Sequence, residues 1–156
     1  MGTLGRQDYR SVLVEVTSGL RIVPAICYES VFGEHLAEHV RNNGNLIAIM
    51  TNDGWWGHSP GHRQHLSFAS LRAIELRRAI ARSANTGTSC FVDQRGSIRQ
   101  ATAWWVPTAE RAQLHLNSEL TFFARHGDLL GRVAVWLAML MLVLVSVRVV
   151  RDLRRK

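Results

Sequence analysis

Several features that define other classes of protein are missing from this chain of 156 residues. It has no internal repeat and no low-complexity segment, and its 47% hydrophobic and 20% charged residues exclude a disordered chain. Its two cysteines, Cys27 and Cys90, permit one disulfide at most. Its only lysine is Lys156, and no His-Glu-x-x-His zinc motif occurs. What remains is a length suited to one packed domain.

The basic charge is concentrated at one end of the chain. The formal net charge is +7, and residues 148–156 contain five basic side chains against Asp152. The rest of the chain therefore carries only a small positive surplus. A nucleic-acid interface needs basic residues clustered on a face of the domain, so we expect no nucleic-acid partner.

An uncharged stretch precedes this basic tail. Residues 133–147 carry no charge, and extending the stretch to residue 150, with Arg148 reaching to the interface, gives the length of a short membrane span. A buried core helix would usually show a polar stripe, but this segment has only Ser146. We predict a domain at residues 1–128, a transmembrane helix at 129–150 and a cytoplasmic basic tail at 151–156.

The predicted orientation places residues 1–128 on the outer side of the membrane, yet no export signal is visible. Residues 1–10 are polar, and residues 11–16 are too short for the apolar part of a signal peptide. We therefore expect this sequence to be the C-terminal part of a longer polypeptide.

The hydrophobic pattern predicts alternating strands and helices in residues 11–128. Strands are predicted at 11–16, 20–26 and 45–50, with a helix at 34–41 that ends at a left-handed Gly44. Apolar residues spaced by three and four predict a second helix at 62–81, with Arg72, Glu75 and Arg78 away from its apolar side. A hairpin at 88–102 and a last strand at 111–116 complete a pattern typical of α/β proteins.

Cys27 lies where the apolar run of residues 21–26 ends, and the acidic Glu29 follows two positions later. A strand that ends in a turn fixes the backbone, exposes the sulfur and frees backbone N–H groups to face an oxyanion. These are the requirements of a nucleophilic thiol. The alternative is a buried, inert cysteine that packs as a small hydrophobic residue.

Histidines near residue 60 offer a second kind of site. His58, His62 and His65 lie within eight residues, and with Asp53 they would supply four ligands for zinc. Histidines beside a glycine-proline loop are more often solvated or capping residues, so we expect no metal site. Zinc that stays bound stoichiometrically after chelation would contradict this expectation.

Three sequence boxes, in this order, resemble the second half of the carbon–nitrogen hydrolase (nitrilase) fold. They are Cys-Tyr-Glu at 27–29, Asn-Asp-Gly-Trp-Trp-Gly at 52–57, and Arg-Ala-Ile-Glu-Leu-Arg at 72–77 with Arg-Ser-Ala-Asn-Thr-Gly at 82–87. The aromatic box and the C-terminal span are most similar to the apolipoprotein N-acyltransferases of that superfamily. The resemblance extends from about residue 20 to the C-terminus.

The resemblance implies the C-terminal half of an α-β-β-α sandwich, followed by one transmembrane helix. It also implies a Cys-Lys-Glu catalytic triad that uses no cofactor. Cys27 matches the nucleophile, and the backbone N–H of Tyr28 would help to bind the oxyanion. Glu29 matches the acidic residue that shapes the pocket behind the cysteine, and Glu75 matches a glutamate that gives structural support.

The aromatic box supplies candidates for substrate binding. Trp55 and Trp56 suit contacts with acyl chains or with the membrane interface, and ordinary packing is the alternative. Asn52 and Asp53 precede them, and we expect a substrate-binding or structural role for both.

The sequence departs from the family upstream of Cys27. The triad lysine and the general-base glutamate belong there in this fold, but Lys156 lies beyond the predicted span. Asp8 and Glu15 are the only upstream carboxylates, and Glu15 lies inside a predicted strand. We therefore expect the chain to be inactive alone and to need a missing N-terminal half or a partner chain.

With that half supplied, the resemblance implies acyl transfer at the bacterial inner membrane, with the domain facing the periplasm. A phospholipid would donate its acyl group to Cys27, and the N-terminal amine of an apolipoprotein would accept it from the thioester. Two alternatives remain open: a non-catalytic membrane-anchored half-domain, and hydrolysis of a small amide by an amidase or nitrilase reaction.

Overall fold

The computed structural model describes residues 11–57 and 59–154, which form one six-stranded mixed sheet. The strands lie side by side in sequence order: β1 (Leu13–Val14), β2 (Arg21–Ile26), β3 (Leu46–Thr51), β4 (Ala79–Ala84), β5 (Cys90–Val92) and β6 (Ile98–Arg99). The central strands β2, β3 and β4 run parallel, whereas β1, β5 and β6 pair antiparallel with their neighbours. This mixed α/β sheet agrees with the predicted fold class.

Helices connect the parallel strands. Helix α1 (Gly33–Arg41) joins β2 to β3, and α2 (Gly61–Leu76) joins β3 to β4. Each is preceded by a 3₁₀ turn, at Cys27–Val31 and Asp53–Trp56 respectively. The carboxyl ends of three parallel strands meet at one edge of the sheet, which is where α/β proteins place their sites. Both turns therefore lie at that edge.

The core lies between one face of the sheet and the helices. Alternate residues of the central strands are fully buried against α1, α2 and the short helix α3 (Phe122–His126). Each buried Leu or Ile contributes roughly 1.5–3 kcal/mol. The aliphatic members of the cluster with no exposed surface are Val23, Ala25, Leu36, Ala37, Ile47, Ala73, Leu76, Ile80, Val92 and Ala124.

The opposite side of the sheet is apolar and only partly covered. Ile26 and Met50 pair in register on β2 and β3 and are 62% and 47% exposed. We call this surface the open sheet face, formed by Ile22, Pro24, Ile26, Leu46, Ala48, Met50, Ala81 and Phe91. Parallel sheets normally have both faces covered, whereas the described residues cover only one face of this sheet.

The second helix ends five residues earlier than predicted. Residues 79–81 belong to β4 and pair with β3. The helix ends because Arg77 adopts a left-handed conformation with φ of 50°. Ile80 fits both the helical spacing and the alternation of a buried strand, which is why the periodicity was misleading.

Three smaller expectations are also wrong. The left-handed residue after α1 is Asn43, with φ of 69°, and not Gly44. Residues 111–116 form no strand. Glu15 lies in the turn after β1, where its carboxylate accepts the backbone N–H groups of Thr17 and Ser18. That carboxylate is therefore engaged in a local turn.

The C-terminal helix is long, apolar and exposed. Helix α4 (Leu129–Arg154) has 26 residues, and its most apolar window has a mean hydropathy of 2.5 with no residue buried. Among the described residues it is the one helix long and apolar enough to cross a membrane. Its first turn is tied to α1, because the Glu34 carboxylate accepts the Asp128 backbone N–H at 2.9 Å and the Arg132 guanidinium at 2.5 Å.

Candidate active site

Cys27 is the first residue after β2 and opens the first 3₁₀ turn. Its φ is 51°, a left-handed conformation that costs a non-glycine residue roughly 1–2 kcal/mol. The free thiol is half-buried, and the Thr51 hydroxyl lies 3.4 Å from Sγ. Cys90 is buried, and burial raises the pKa of its thiol. A strained backbone with an accessible sulfur is typical of a nucleophile, and Cys27 alone of the two cysteines has it.

The side chains that follow close the turn around Cys27. Glu29 Oε2 accepts the backbone N–H of Ile26 at 2.8 Å, and Ser30 Oγ donates to the Cys27 carbonyl at 2.9 Å. The Tyr28 ring is half-exposed and lies 5.9 Å from the His65 ring, centroid to centroid. Glu29 thus fixes the backbone before the cysteine, and Ser30 fixes it after the cysteine.

Asp53 is buried beside Cys27, at the centre of a polar cluster. Its Oδ1 accepts the Thr51 hydroxyl at 3.0 Å and lies 3.0 Å from His65 Nδ1, while Oδ2 accepts Arg82 at 2.6 Å. Burial opposes ionisation of this carboxyl, but the hydrogen bonds with His65 and Arg82 outweigh it and lower the pKa to about 2. Asp53 is therefore an ionised, paired carboxylate at neutral pH.

His65 connects the Asp53 cluster to the cysteine turn. The side chain is 2% exposed, and Nε2 lies 3.2 Å from the Cys27 carbonyl oxygen and 3.1 Å from Ser30 Oγ. These contacts come from α2 and reach the turn that follows β2. His65 entered the sequence interpretation only as a zinc ligand, and its neighbours in space are hydrogen-bonding groups of the turn.

His62, the other described histidine that was considered for zinc, does not join His65. The His62 ring packs against the Trp104 ring, 4.2 Å between centroids, and His58 lies outside the described residues. Within residues 11–57 and 59–154, no group of three His, Cys, Asp or Glu side chains is placed to hold a metal ion.

Arg72 and Glu75 support the cysteine turn from α2. Arg72 donates to the Val31 carbonyl at 3.2 Å, at the end of the first 3₁₀ turn, and pairs with Glu75 at 3.2 Å. Burial raises the pKa of the Glu75 carboxyl; Arg72 acts against this shift and Asp128 adds to it. The expectation that Arg72 and Arg78 point away from the core is wrong, because both are buried and donate to backbone carbonyls.

The remaining residues of the aromatic box divide into packed and exposed positions. Asn52 Oδ1 caps the second 3₁₀ turn and accepts the Thr86 hydroxyl at 2.6 Å. Trp56 covers Gly61 so closely that a Cβ there would lie 2.3 Å from its ring. Trp55 is 85% exposed and is free to contact a ligand or a membrane.

Thr51 and Ser30 belong to the site but were not singled out from the sequence, and Arg82 was named only as the first residue of the box at 82–87. Arg82 had been placed after the long predicted helix, whereas it lies on β4 with its side chain on Asp53. Thr51 is the last residue of β3. The tendency of parallel strands to gather polar residues at their carboxyl ends is the signal that identifies Thr51.

Known proteins resemble this chain in sequence over most of its length. The sequence pattern of the family described as carbon–nitrogen hydrolase matches residues 3–118. An apolipoprotein N-acyltransferase from Chlorobaculum tepidum is 39% identical over 129 residues, which are 83% of this chain and 24% of that protein. One from Shewanella oneidensis is 35% identical over 128 residues, 82% of this chain and 24% of that protein. The chain thus spans about a quarter of these curated relatives.

Solved structures resemble it in fold. An amidase from Nesterenkonia sp. matches with a TM-score of 0.52 at 17% identity, covering 68% of this chain and 41% of the amidase. A Saccharomyces cerevisiae member of branch 10 of the nitrilase superfamily matches with a TM-score of 0.52 at 17% identity, and the match covers 66% of this chain and 40% of that protein. At such identities the likeness shows the fold alone, and it confirms the predicted nitrilase-like class.

Proposed function

Because this chain belongs to the carbon–nitrogen hydrolase family, we propose that it is the nucleophile-bearing part of an apolipoprotein N-acyltransferase. The observation that carries the proposal is the half-buried Cys27 thiol, held in a strained turn at the carboxyl end of β2. Relatives with that name and an exposed apolar helix favour acyl transfer between lipids over hydrolysis of a small amide.

The proposed reaction has two steps. The Cys27 thiolate attacks the ester carbonyl of a phospholipid, the ester C–O bond breaks, and the lysophospholipid leaves with a proton while Sγ keeps the acyl group. The N-terminal amine of an apolipoprotein then attacks the thioester, the C–S bond breaks, and an amide forms as the amine loses a proton. In both steps the Tyr28 backbone N–H stabilises the oxyanion.

A second part of the protein completes this site in the proposal. The described residues contain no lysine, and Lys156 lies outside them, so the lysine and the general-base glutamate come from an upstream half or a partner chain. That half packs on the open sheet face as the second layer of the sandwich. Without it, the chain does not catalyse.

The other candidate residues take supporting roles in this proposal. Glu29 and Glu75 hold the cysteine turn, Asn52 and Asp53 hold the second turn, and Trp55 contacts acyl chains together with Trp56. Helix α4 anchors the chain in the bacterial inner membrane, with the domain in the periplasm and the basic tail in the cytoplasm. This orientation is supported by the four basic residues that follow residue 150.

The test is a chimera in which this chain replaces the matching quarter of the Chlorobaculum tepidum relative. We expect incubation with phospholipid to add an acyl mass to the peptide that contains Cys27, and we expect a lipoprotein acceptor to remove it. Cys27→Ala should abolish the adduct, whereas Cys90→Ala should keep it. A chimera that folds and enters membranes but never forms the adduct would contradict the proposal.

A non-catalytic membrane-anchored half-domain is the second candidate, because the described residues lack a lysine. Thiol reactivity separates the two functions. In the chimera, which supplies the upstream half, an enzyme half should contain a Cys27 that is alkylated faster than an unfolded thiol, whereas a structural module should not.

A further inference from the structure

We propose that His65 is a positioning residue that holds the Cys27 carbonyl and, through it, the direction of the thiol. The inference rests on the proposed role of Cys27 as the nucleophile. His65 does not touch Sγ, so its effect passes through the backbone of the turn.

The Cys27 carbonyl has two hydrogen-bonding neighbours. Ser30, three residues later, donates at 2.9 Å from within the same turn. His65 Nε2 lies 3.2 Å away and belongs to α2, 38 residues further along the chain. The left-handed backbone conformation of Cys27 is unfavourable for a non-glycine residue, and it persists only where surrounding contacts stabilise it. His65 connects the Cys27 carbonyl to a helix outside the turn.

The other side of the ring is anchored. His65 Nδ1 lies 3.0 Å from Asp53 Oδ1, and Arg82 fixes the second oxygen of that carboxylate. A carbonyl only accepts hydrogen bonds, so His65 donates to Cys27 in the tautomer with the proton on Nε2. On the other side of the ring, Nδ1 faces Asp53 and also lies 3.4 Å from Arg82 Nη2. The buried Asp53–Arg82 ion pair therefore fixes one side of the His65 ring, and the other side of the ring contacts the backbone of Cys27.

Thr51 gives the same cluster a second contact with the nucleophile. Its hydroxyl lies 3.0 Å from Asp53 Oδ1 and 3.4 Å from Cys27 Sγ. The Asp53 cluster thus reaches Cys27 at the carbonyl through His65 and at the sulfur through Thr51. A displacement of about 1 Å in a reacting group can slow a reaction on the order of a hundredfold.

Two substitutions of His65 test its two ring nitrogens separately: Nε2, which faces the Cys27 carbonyl, and Nδ1, which faces Asp53. The amide nitrogen of His65→Gln lies about where Nε2 was and can still donate to the Cys27 carbonyl. The amide of His65→Asn replaces Nδ1, reaches Asp53 and loses the carbonyl. In the full 156-residue chain in detergent micelles, we measure iodoacetamide alkylation of Cys27 by peptide mass spectrometry, with the buried Cys90 as the reporter of folding.

We expect His65→Gln to stay within about threefold of the unsubstituted rate and His65→Asn to slow alkylation of Cys27 about tenfold or more, with Cys90 protected in both. His62→Gln and His62→Asn are matched controls one turn away and should leave the rate unchanged. An unchanged rate in His65→Asn, or equal slowing in both His65 variants, would overturn the inference.

If Cys90 is alkylated in both His65 variants, neither variant is folded, and Ser30→Ala is used instead. This substitution removes the other hydrogen-bond donor to the Cys27 carbonyl. Slower alkylation of Cys27 with Cys90 still protected would support the inference, and an unchanged rate would overturn it. A different result marks failure of the proposed function: a chimera that folds and enters membranes but forms no acyl adduct on Cys27 shows that Cys27 is not the nucleophile.

Discussion

At the scale of single residues, the buried charge of the site is concentrated on Asp53 and Arg82. Both side chains are at most 2% exposed, and their 2.6 Å contact has no access to solvent. Breaking a buried pair leaves the remaining charge unsolvated, which typically costs more than the pair itself contributes. The cluster that positions Cys27 is therefore also a point where one substitution is costly.

Asp53→Asn should lower the free energy of unfolding by roughly 3–5 kcal/mol, because Arg82 loses its buried counter-charge. Urea unfolding of the chain in detergent measures this. Asp93→Asn is the matched control, since it breaks a pair with the exposed Arg99 and should cost less than about 1 kcal/mol. Similar losses in the two variants would show that Asp53 is not held as a buried ion pair.

The free energy of unfolding should also depend on pH, because the Asp53 carboxyl has a lowered pKa in the folded chain. Its pKa is lowered from 3.8 to about 2, so its contribution is complete above pH 4 and is lost as the pH falls through 2. The shift corresponds to roughly 2 kcal/mol. The urea concentration at the midpoint of unfolding should therefore change less between pH 5 and pH 2 in Asp53→Asn than in the unsubstituted chain. Equal differences would contradict the lowered pKa.

At the scale of secondary-structure elements, the end of α2 depends on the left-handed Arg77. Arg77→Gly should leave stability unchanged or raise it by about 1 kcal/mol, because glycine adopts this conformation without the steric cost of a Cβ. Arg63→Gly, at an exposed position inside the same helix, should instead cost about 1 kcal/mol. Thermal unfolding of the two variants shows whether their free energies of unfolding change in opposite directions. Equal destabilisation of both would contradict the prediction.

Elements with one consistent pattern were predictable, and the boundary at Arg77 was not. Strands β2 and β3 and helix α1 follow the apolar periodicity of their sequences, and Cys27 was identified because it directly follows a strand. The helix-to-strand change depends on one backbone conformation, which the side-chain pattern does not record. The placement of His65 and Arg82 around Asp53 depends on the packing of α2 against two strands, so it needed the structure.

The junction between α1 and α4 depends on Glu34. The backbone N–H of Asp128, and then the Arg132 guanidinium, hold the pKa of the Glu34 carboxyl below its usual range. Glu34→Gln should accelerate hydrogen exchange of the amides at residues 128–132 and change global stability little, because the contact is exposed. Glu110→Gln, in a distant exposed segment, serves as the control. Unchanged exchange at these amides would show that Glu34 does not hold the start of helix α4.

At the scale of the whole molecule, the chain has a covered face, an uncovered face and an apolar helix. The helices cover one side of the sheet, while the open sheet face keeps Ile26 and Met50 largely in water. Exposed contiguous apolar surface promotes association. A chain that covers about a quarter of its relatives and leaves this face open is expected to bind its own copies when no second layer is supplied.

The last prediction follows from this surface. In detergent that covers α4, the isolated chain should form dimers or larger species, because pairing of two open sheet faces removes apolar area from water. The double substitution Ile26→Thr and Met50→Thr should shift the chain toward monomers in analytical ultracentrifugation. The control, Leu71→Thr with Ile74→Thr, changes comparably exposed residues on the outer side of α2 and should leave association unchanged. Equal shifts in both variants would mean that association does not use the open sheet face and that this face does not require a second layer.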